Sequence, residues 1–160
     1  MVRLLRLGLV AGTCALSACQ APASAPPPPV EEGPDFASAI HIDVDYAAEA
    51  SAVHVEAKLE PGYHVYAPGE SVGRPIAIAL AEGSGWKSAG EAHYPAGEPK
   101  ETSLGKSVVV EGALEASLPV EAAKEEPGKI TGTFAYQVCT DTACDRPRKL
   151  PFELDAAPAE

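Results

Sequence analysis

Cys139 and Cys144 are the residues of this 160-residue chain whose type and spacing invite covalent chemistry. Four residues separate them in the stretch Tyr136-Gln137-Val138-Cys139-Thr140-Asp141-Thr142-Ala143-Cys144-Asp145-Arg146-Pro147. A turn of that length can bring two Cα atoms within the roughly 4.4–6.8 Å that a disulfide needs. Such a pair has two uses. It can staple a loop, or it can exchange electrons with other proteins, a thiolate attacking a disulfide sulfur through a mixed disulfide. Asp141 and Asp145 disfavour a thiolate nearby, whereas Arg146 and Arg148 favour it. These opposed charges predict no strongly activated thiol, so the pair would react when a docked partner completes its environment. A structural disulfide fits the same local chemistry.

Other chemistries find little support. Two thiolates can hold Cu(I), a soft ion, which keeps a copper-handling protein as the weakest alternative. However, Met1 is the only methionine and no Cys-His cluster has zinc-like spacing, so no metal and no cofactor is expected. Gly-x-Ser-x-Gly is absent, Gly83-Ser84-Gly85 reads as a turn, and no Gly-rich phosphate loop occurs. With 12 Lys and Arg against 23 Asp and Glu, the net charge is −11. Such a surface repels nucleic acid and anionic headgroups.

The amino terminus carries Arg3 and Arg6 and an apolar run from Leu4 to Ala18. It reads as a secretory signal peptide, too short to span a bilayer permanently. It ends in Leu16-Ser17-Ala18-Cys19, which resembles the bacterial lipobox. That resemblance implies that residues 1–18 are removed, that Cys19 is lipidated, and that the lipid alone holds the protein to a membrane. Gln20 rather than Asp follows Cys19, which implies the outer membrane, facing the periplasm. Cys14 then leaves with the leader, and Cys139 and Cys144 remain as a pair in an oxidising compartment where disulfides persist. Losing Arg3 and Arg6 takes the net charge from −11 to −13. Residues 19–35, lipidated Cys19 and a Pro- and Ala-rich segment, form a semi-rigid tether. The folded domain is expected over residues 36–156.

What must position the cysteines is a set of strands. Ile40, Ile42, Val44 and Tyr46 alternate with His41, Asp43 and Asp45, and the phase resumes in Val53, Val55, Ala57 and Leu59. That period of two is how half-buried strands read. Tyr63 to Tyr66 follows the Pro61-Gly62 turn as a short strand, and Ile76 to Leu80 suits a strand covered on both faces. Trp86 starts another. Glu91 to Gly105 reads as a loop, Val108 to Val110 and Leu114 to Val120 as one or two strands. Ile130, Phe134, Tyr136 and Val138 alternate in a strand that delivers Cys139 to its end, and Leu150, Phe152 and Leu154 close the chain. About eight short strands with turns between them and no helical periodicity predict an all-β fold, an antiparallel β-sandwich. The cysteines would sit in a solvent-accessible loop at one end of it.

Tyr136-Gln137-x-Cys139, Cys144-x-x-Pro147 and the strand Lys149 to Leu154 resemble the amino-terminal periplasmic domain of the thiol:disulfide interchange protein DsbD. Pro61-Gly62-Tyr63-His64-Val65-Tyr66, Pro75-Ile76, Gly85-Trp86 and Tyr94-Pro95 precede them in the order that family shows, so the resemblance spans Phe36 to Asp155. It implies an immunoglobulin-like sandwich, here as a stand-alone lipoprotein. Its Cys139–Cys144 pair would relay reducing equivalents to or from thioredoxin-fold partners, a protein-disulfide reductase type of activity. It also implies that Tyr63, Tyr66 and Tyr94 line the cysteine loop, with His93, Asp141 and Pro147 beside them. Each tyrosine also reads as an ordinary sandwich aromatic, and Tyr136 and Trp86 read as core. His41 and His54 fall on outward phases. His64 and His93 are the histidines nearest the site and the candidates for proton transfer. Three features depart from the family's best-known members. One residue fewer separates the cysteines. The acidic-aromatic run of the capping loop is reduced to Glu91-Ala92-His93-Tyr94-Pro95. The chain ends at Glu160 with no membrane conduit or thioredoxin-like domain, so its electron source would be a separate protein. The alternative is a non-catalytic binding module of the same fold whose disulfide is structural.

Overall fold

The computed structural model describes residues 33–156; the expected signal peptide, Cys19 and most of the expected tether lie outside them. Eleven strands and no helix make up the described residues. β1 (Ile40–Ala47), β2 (Ala52–Leu59), β8 (Ala113–Ala122) and β5 (Trp86–Ser88) form one antiparallel sheet in the order β1-β2-β8-β5. A second, β10-β3-β7-β6, contains β10 (Val138–Cys139), β3 (His64–Tyr66), β7 (Gly105–Glu111) and β6 (Glu98–Thr102). The third, β11-β9-β4, contains β11 (Arg148–Leu154), β9 (Ile130–Tyr136) and β4 (Ala77–Leu80). The expected all-β antiparallel sandwich is what the chain forms.

Alternation builds one core from all three sheets. β2 contributes Val53, Val55, Ala57 and Leu59, and β8 contributes Leu114, Ala116, Leu118 and Val120. Against them pack Val65 and Val110 of the second sheet and Ile78, Ile130, Phe134 and Phe152 of the third. Phe134 is fully buried and stacks on Tyr136, ring centroids 5.8 Å apart. Burying one such large side chain contributes about 1.5–3 kcal/mol. Between β9 and β10 a single residue, Gln137, carries the chain from the third sheet into the second while the alternation continues: Tyr136 and Val138 point into the core, Cys139 away from it.

Four expectations need correction. The segment read as a loop, Glu91 to Gly105, contains β6, an edge strand paired only with β7. Its polar sequence and Pro99 hide it, because an edge position tolerates a missing N–H donor. β4 is not covered on both faces; Ala77 and Ala79 are exposed. Trp86 is half-buried, donating its Nε1–H to the Gly128 carbonyl at 3.0 Å. Cys139, expected in an accessible loop, is fully buried.

Candidate functional site

Thr140 to Ala143 close a tight turn that sets the two cysteines opposite each other. Thr140 N–H donates to the Ala143 carbonyl at 2.7 Å, and Asp145 N–H to the Val138 carbonyl at 2.9 Å. The Thr140 hydroxyl accepts the Ala143 N–H at 3.1 Å, the local bond that makes threonine a turn residue. Between those two backbone bonds Cys139 and Cys144 form an antiparallel bridge in the non-hydrogen-bonded position, where strands approach most closely. Their Cα atoms are 4.0 Å apart and their sulfurs are bonded.

The second sheet has two differently used faces. Val65, Val110 and Val138 point into the sandwich core. On the opposite face Tyr66, Val109 and Cys139 form a separate buried cluster, with Val72 and Cys144 packed on it. His64 shares that face, because it lies directly opposite Cys139 on one side and Glu111 on the other. Cys144, Cys139, His64 and Glu111 therefore run as a row across the sheet.

An outward face becomes buried because loops cover it. The segment Pro68 to Pro75 crosses Tyr66 at Gly73, whose φ of +72° and proximity to the Tyr66 ring exclude a side chain. Gln137 ties that cover to the cysteine turn, accepting the Arg74 N–H at 2.7 Å and donating to the Asp145 carbonyl at 2.7 Å. From the other side, Lys100 of β6 bridges Glu111 and the Asp141 carboxylate, the latter at 2.7 Å. Ser103 donates its N–H and its hydroxyl to the Asp141 carbonyl.

The two sulfurs end up unequal. Cys139 is fully buried, whereas Cys144 is only partly buried, with the Tyr66 hydroxyl 3.6 Å from its sulfur. Burial, with Glu70 adding to it, raises the Tyr66 phenol above its ordinary range, so it stands there as a neutral hydroxyl. The acids that flank the pair are neutralised by partners. Lys100 holds the Asp141 carboxyl below the usual carboxylate range, and Arg148 does the same for Asp145. His64 has both ring nitrogens buried and without a hydrogen-bond partner among the described residues. Burial, then the Lys100 charge, push its pKa down against the opposing pull of Asp141 and Glu111.

The structure brings Cys139, Cys144, Tyr66 and Asp141 together; Pro147 is exposed just before β11. Tyr63 packs edge-on against Phe36 at 5.9 Å, on the main core. Tyr94 also packs on the main core, its hydroxyl accepting the Ile78 N–H at 2.9 Å. His93 exchanges backbone hydrogen bonds with Ser117 of β8 and lines an open cleft with His54 and Glu115. The sequence assigns no role to Lys100, Ser103 or the Val72–Gly73 cover, because polar and glycine-containing loops give no local signal of the β6–β7 pairing or of the packing on Tyr66 that place them. Gln137 was visible within the cysteine motif but carried no assigned role.

Comparison with known proteins bears on the family and the fold. The family model described as "Thiol:disulfide interchange protein DsbD, N-terminal" matches residues 35–156. No curated protein matches the chain. Among solved structures, the reduced DsbD N-terminal domain of Neisseria meningitidis superposes with a TM-score of 0.55 at 19% identity, over 72% of this chain and 83% of that one. The complex between the DsbD N-terminal and PilB N-terminal domains of the same organism superposes with a TM-score of 0.55 at 19% identity, over 78% and 88%. The shared architecture is the immunoglobulin-like β-sandwich. With three quarters of its length matched by that family model, the chain belongs to the DsbD N-terminal domain family.

Proposed function

We propose that this protein is a thiol-disulfide exchange module that passes two electrons between thioredoxin-fold partners through Cys139 and Cys144. The observation that carries this reading is a disulfide whose two halves differ in access, a partly buried Cys144 bonded to a fully buried Cys139. An incoming thiolate reaches Cys144 and expels Cys139 as the leaving thiolate, giving a mixed disulfide on Cys144. The partner's second thiolate then attacks its own bridged sulfur and expels Cys144. The partner dithiol becomes a disulfide, and the Cys139–Cys144 disulfide becomes two thiols.

Docking has support beside the sulfur. Leu104, an exposed large apolar side chain, sits in the turn whose Ser103 bonds the cysteine turn. A related domain has been captured with the PilB N-terminal domain, which supports a protein partner for this one. The lipobox-like Leu16-Ser17-Ala18-Cys19 supports a periplasmic lipoprotein held at the outer membrane.

The first test is the reduction potential of the pair, read by mass after equilibration with thiol buffers. Exchange proteins lie between about −270 and −120 mV, and structural disulfides below about −300 mV. A value in the upper range is expected; one below about −300 mV sinks exchange in favour of a stapled binding module. The second test is trapping. Cys139→Ala accumulates mixed disulfides through Cys144, and Cys144→Ala does not.

A further inference from the structure

His64 is the least explained side chain of the site. It is fully buried, yet neither ring nitrogen has a hydrogen-bond partner among the described residues. Leaving a buried polar group unpaired costs about 1–3 kcal/mol, so a native structure that keeps one has a reason elsewhere. The position supplies that reason. His64 lies directly across the β3–β10 ladder from Cys139, and directly opposed residues project from the same face with Cβ atoms about 4.5–5.5 Å apart. On its other sides are Glu111 of β7, Tyr66 of its own strand at 5.9 Å between ring centroids, and the Lys100–Asp141 bridge contributed by β6 and the cysteine turn. While the disulfide is closed, the Cys139 sulfur is committed to Cys144. When it opens, that sulfur becomes a thiol at a position buried in the closed form, with an imidazole across the ladder.

We propose that His64 takes the proton of the Cys139 thiol in the resolving step of exchange, as a proton acceptor specific to the buried cysteine. The inference rests on the exchange reading above. Reduced Cys144 attacks an acceptor disulfide, expelling one acceptor sulfur and leaving a Cys144–acceptor disulfide. Cys139 must then attack the Cys144 sulfur, which requires it to lose its proton at that position. The neutral imidazole accepts that proton as the Cys139–Cys144 bond forms. The second acceptor sulfur leaves with the electron pair, and the imidazolium returns its proton to solvent. The acceptor gains two electrons, and the cysteine pair loses them. A lowered histidine pKa, set by burial and by Lys100, keeps the imidazole neutral and ready to accept at neutral pH.

The test uses the full-length reduced protein and oxidised glutathione as the acceptor, with acid quenching and mass detection of the Cys144–glutathione adduct. Measurements run across the histidine range of about pH 5 to 8. In the unsubstituted protein the adduct resolves, and resolution slows toward acid as His64 takes its own proton. In His64→Phe the adduct persists at neutral pH, resolving on the order of 10²-fold more slowly, with a profile that follows thiol ionisation alone. Resolution at the original rate and with the original pH profile in His64→Phe overturns the inference. Should His64→Phe not fold, the His64 imidazole is titrated by NMR in the oxidised and reduced unsubstituted protein. A different titration in the two states supports the assignment, and an identical one overturns it. If the unsubstituted protein forms no adduct, the exchange reading itself fails; if an adduct forms and resolves alike in both proteins, only the role of His64 fails.

Discussion

Cys139 and Cys144 share one bond and two different surroundings. Buried Cys139 has His64 across the ladder, while partly buried Cys144 has the Tyr66 hydroxyl near its sulfur. The charges around them matter chiefly for holding the turn. Lys100 keeps Asp141 ionised, and a carboxyl whose pKa is lowered by folding contributes stability above its unfolded value of about 3.9 and loses it as pH falls through the folded value. Pairs this exposed add little to global stability, so the effect belongs to local opening. Lys100→Met is expected to lower the amide-exchange protection of Ser103, whose N–H bonds the Asp141 carbonyl, at neutral pH. The gap between variant and unsubstituted protein should narrow as the pH falls through the lowered pKa of Asp141, once the carboxyl is protonated in both. A gap that stays the same at low pH would remove the ion pair from the account.

At the scale of elements, the site exists because a segment between strands covers the outer face of a sheet. Gly73 is where that cover meets Tyr66, with a positive φ and no room for a Cβ against the ring or the Gln137 amide. Gly73→Ala is expected to cost about 1–3 kcal/mol through crowding and backbone strain. The strain is relieved by lifting Pro68 to Pro75 off the cysteine cluster. Reduction of the Cys139–Cys144 disulfide by dithiothreitol should therefore quicken in this variant, while the core remains folded. An unchanged reduction rate would mean that the cover does not control access to the sulfurs.

For the whole molecule, the question is whether the disulfide or the apolar core holds the sandwich together. The disulfide closes a loop of only six residues, Cys139 to Cys144, which by chain entropy contributes about 2 kcal/mol. Removing the ring of fully buried Phe134 costs about 3–5 kcal/mol. The core wins this comparison. The double variant Cys139→Ala/Cys144→Ala should stay folded and unfold cooperatively with a modest loss in denaturant midpoint, and Phe134→Ala should lose more. Collapse of the double cysteine variant would mark the bridge as an indispensable staple and argue against cycling between its oxidised and reduced forms.

How much of this was legible beforehand follows from the range of the interactions. Period-two alternation is a local property, so Ile40 to Tyr46, Val53 to Leu59 and Ile130 to Val138 announced their strands and their buried faces. The cysteine pair, its turn and the family resemblance were equally local. β6 was not legible, because Glu98 to Thr102 becomes a strand only by pairing with β7. Tyr63, His93 and Tyr94 read as neighbours of the cysteine loop, but β-sheet pairing places Tyr63 and Tyr94 on the main core and His93 beside β8. The sequence by itself determined an all-β chain with one cysteine pair at the end of a strand. Only the tertiary structure decided which cysteine is the less buried and that His64 lies across the ladder from the other. Both depend on the switch of strands at Gln137 and on a cover drawn from distant segments, contacts that no local pattern encodes.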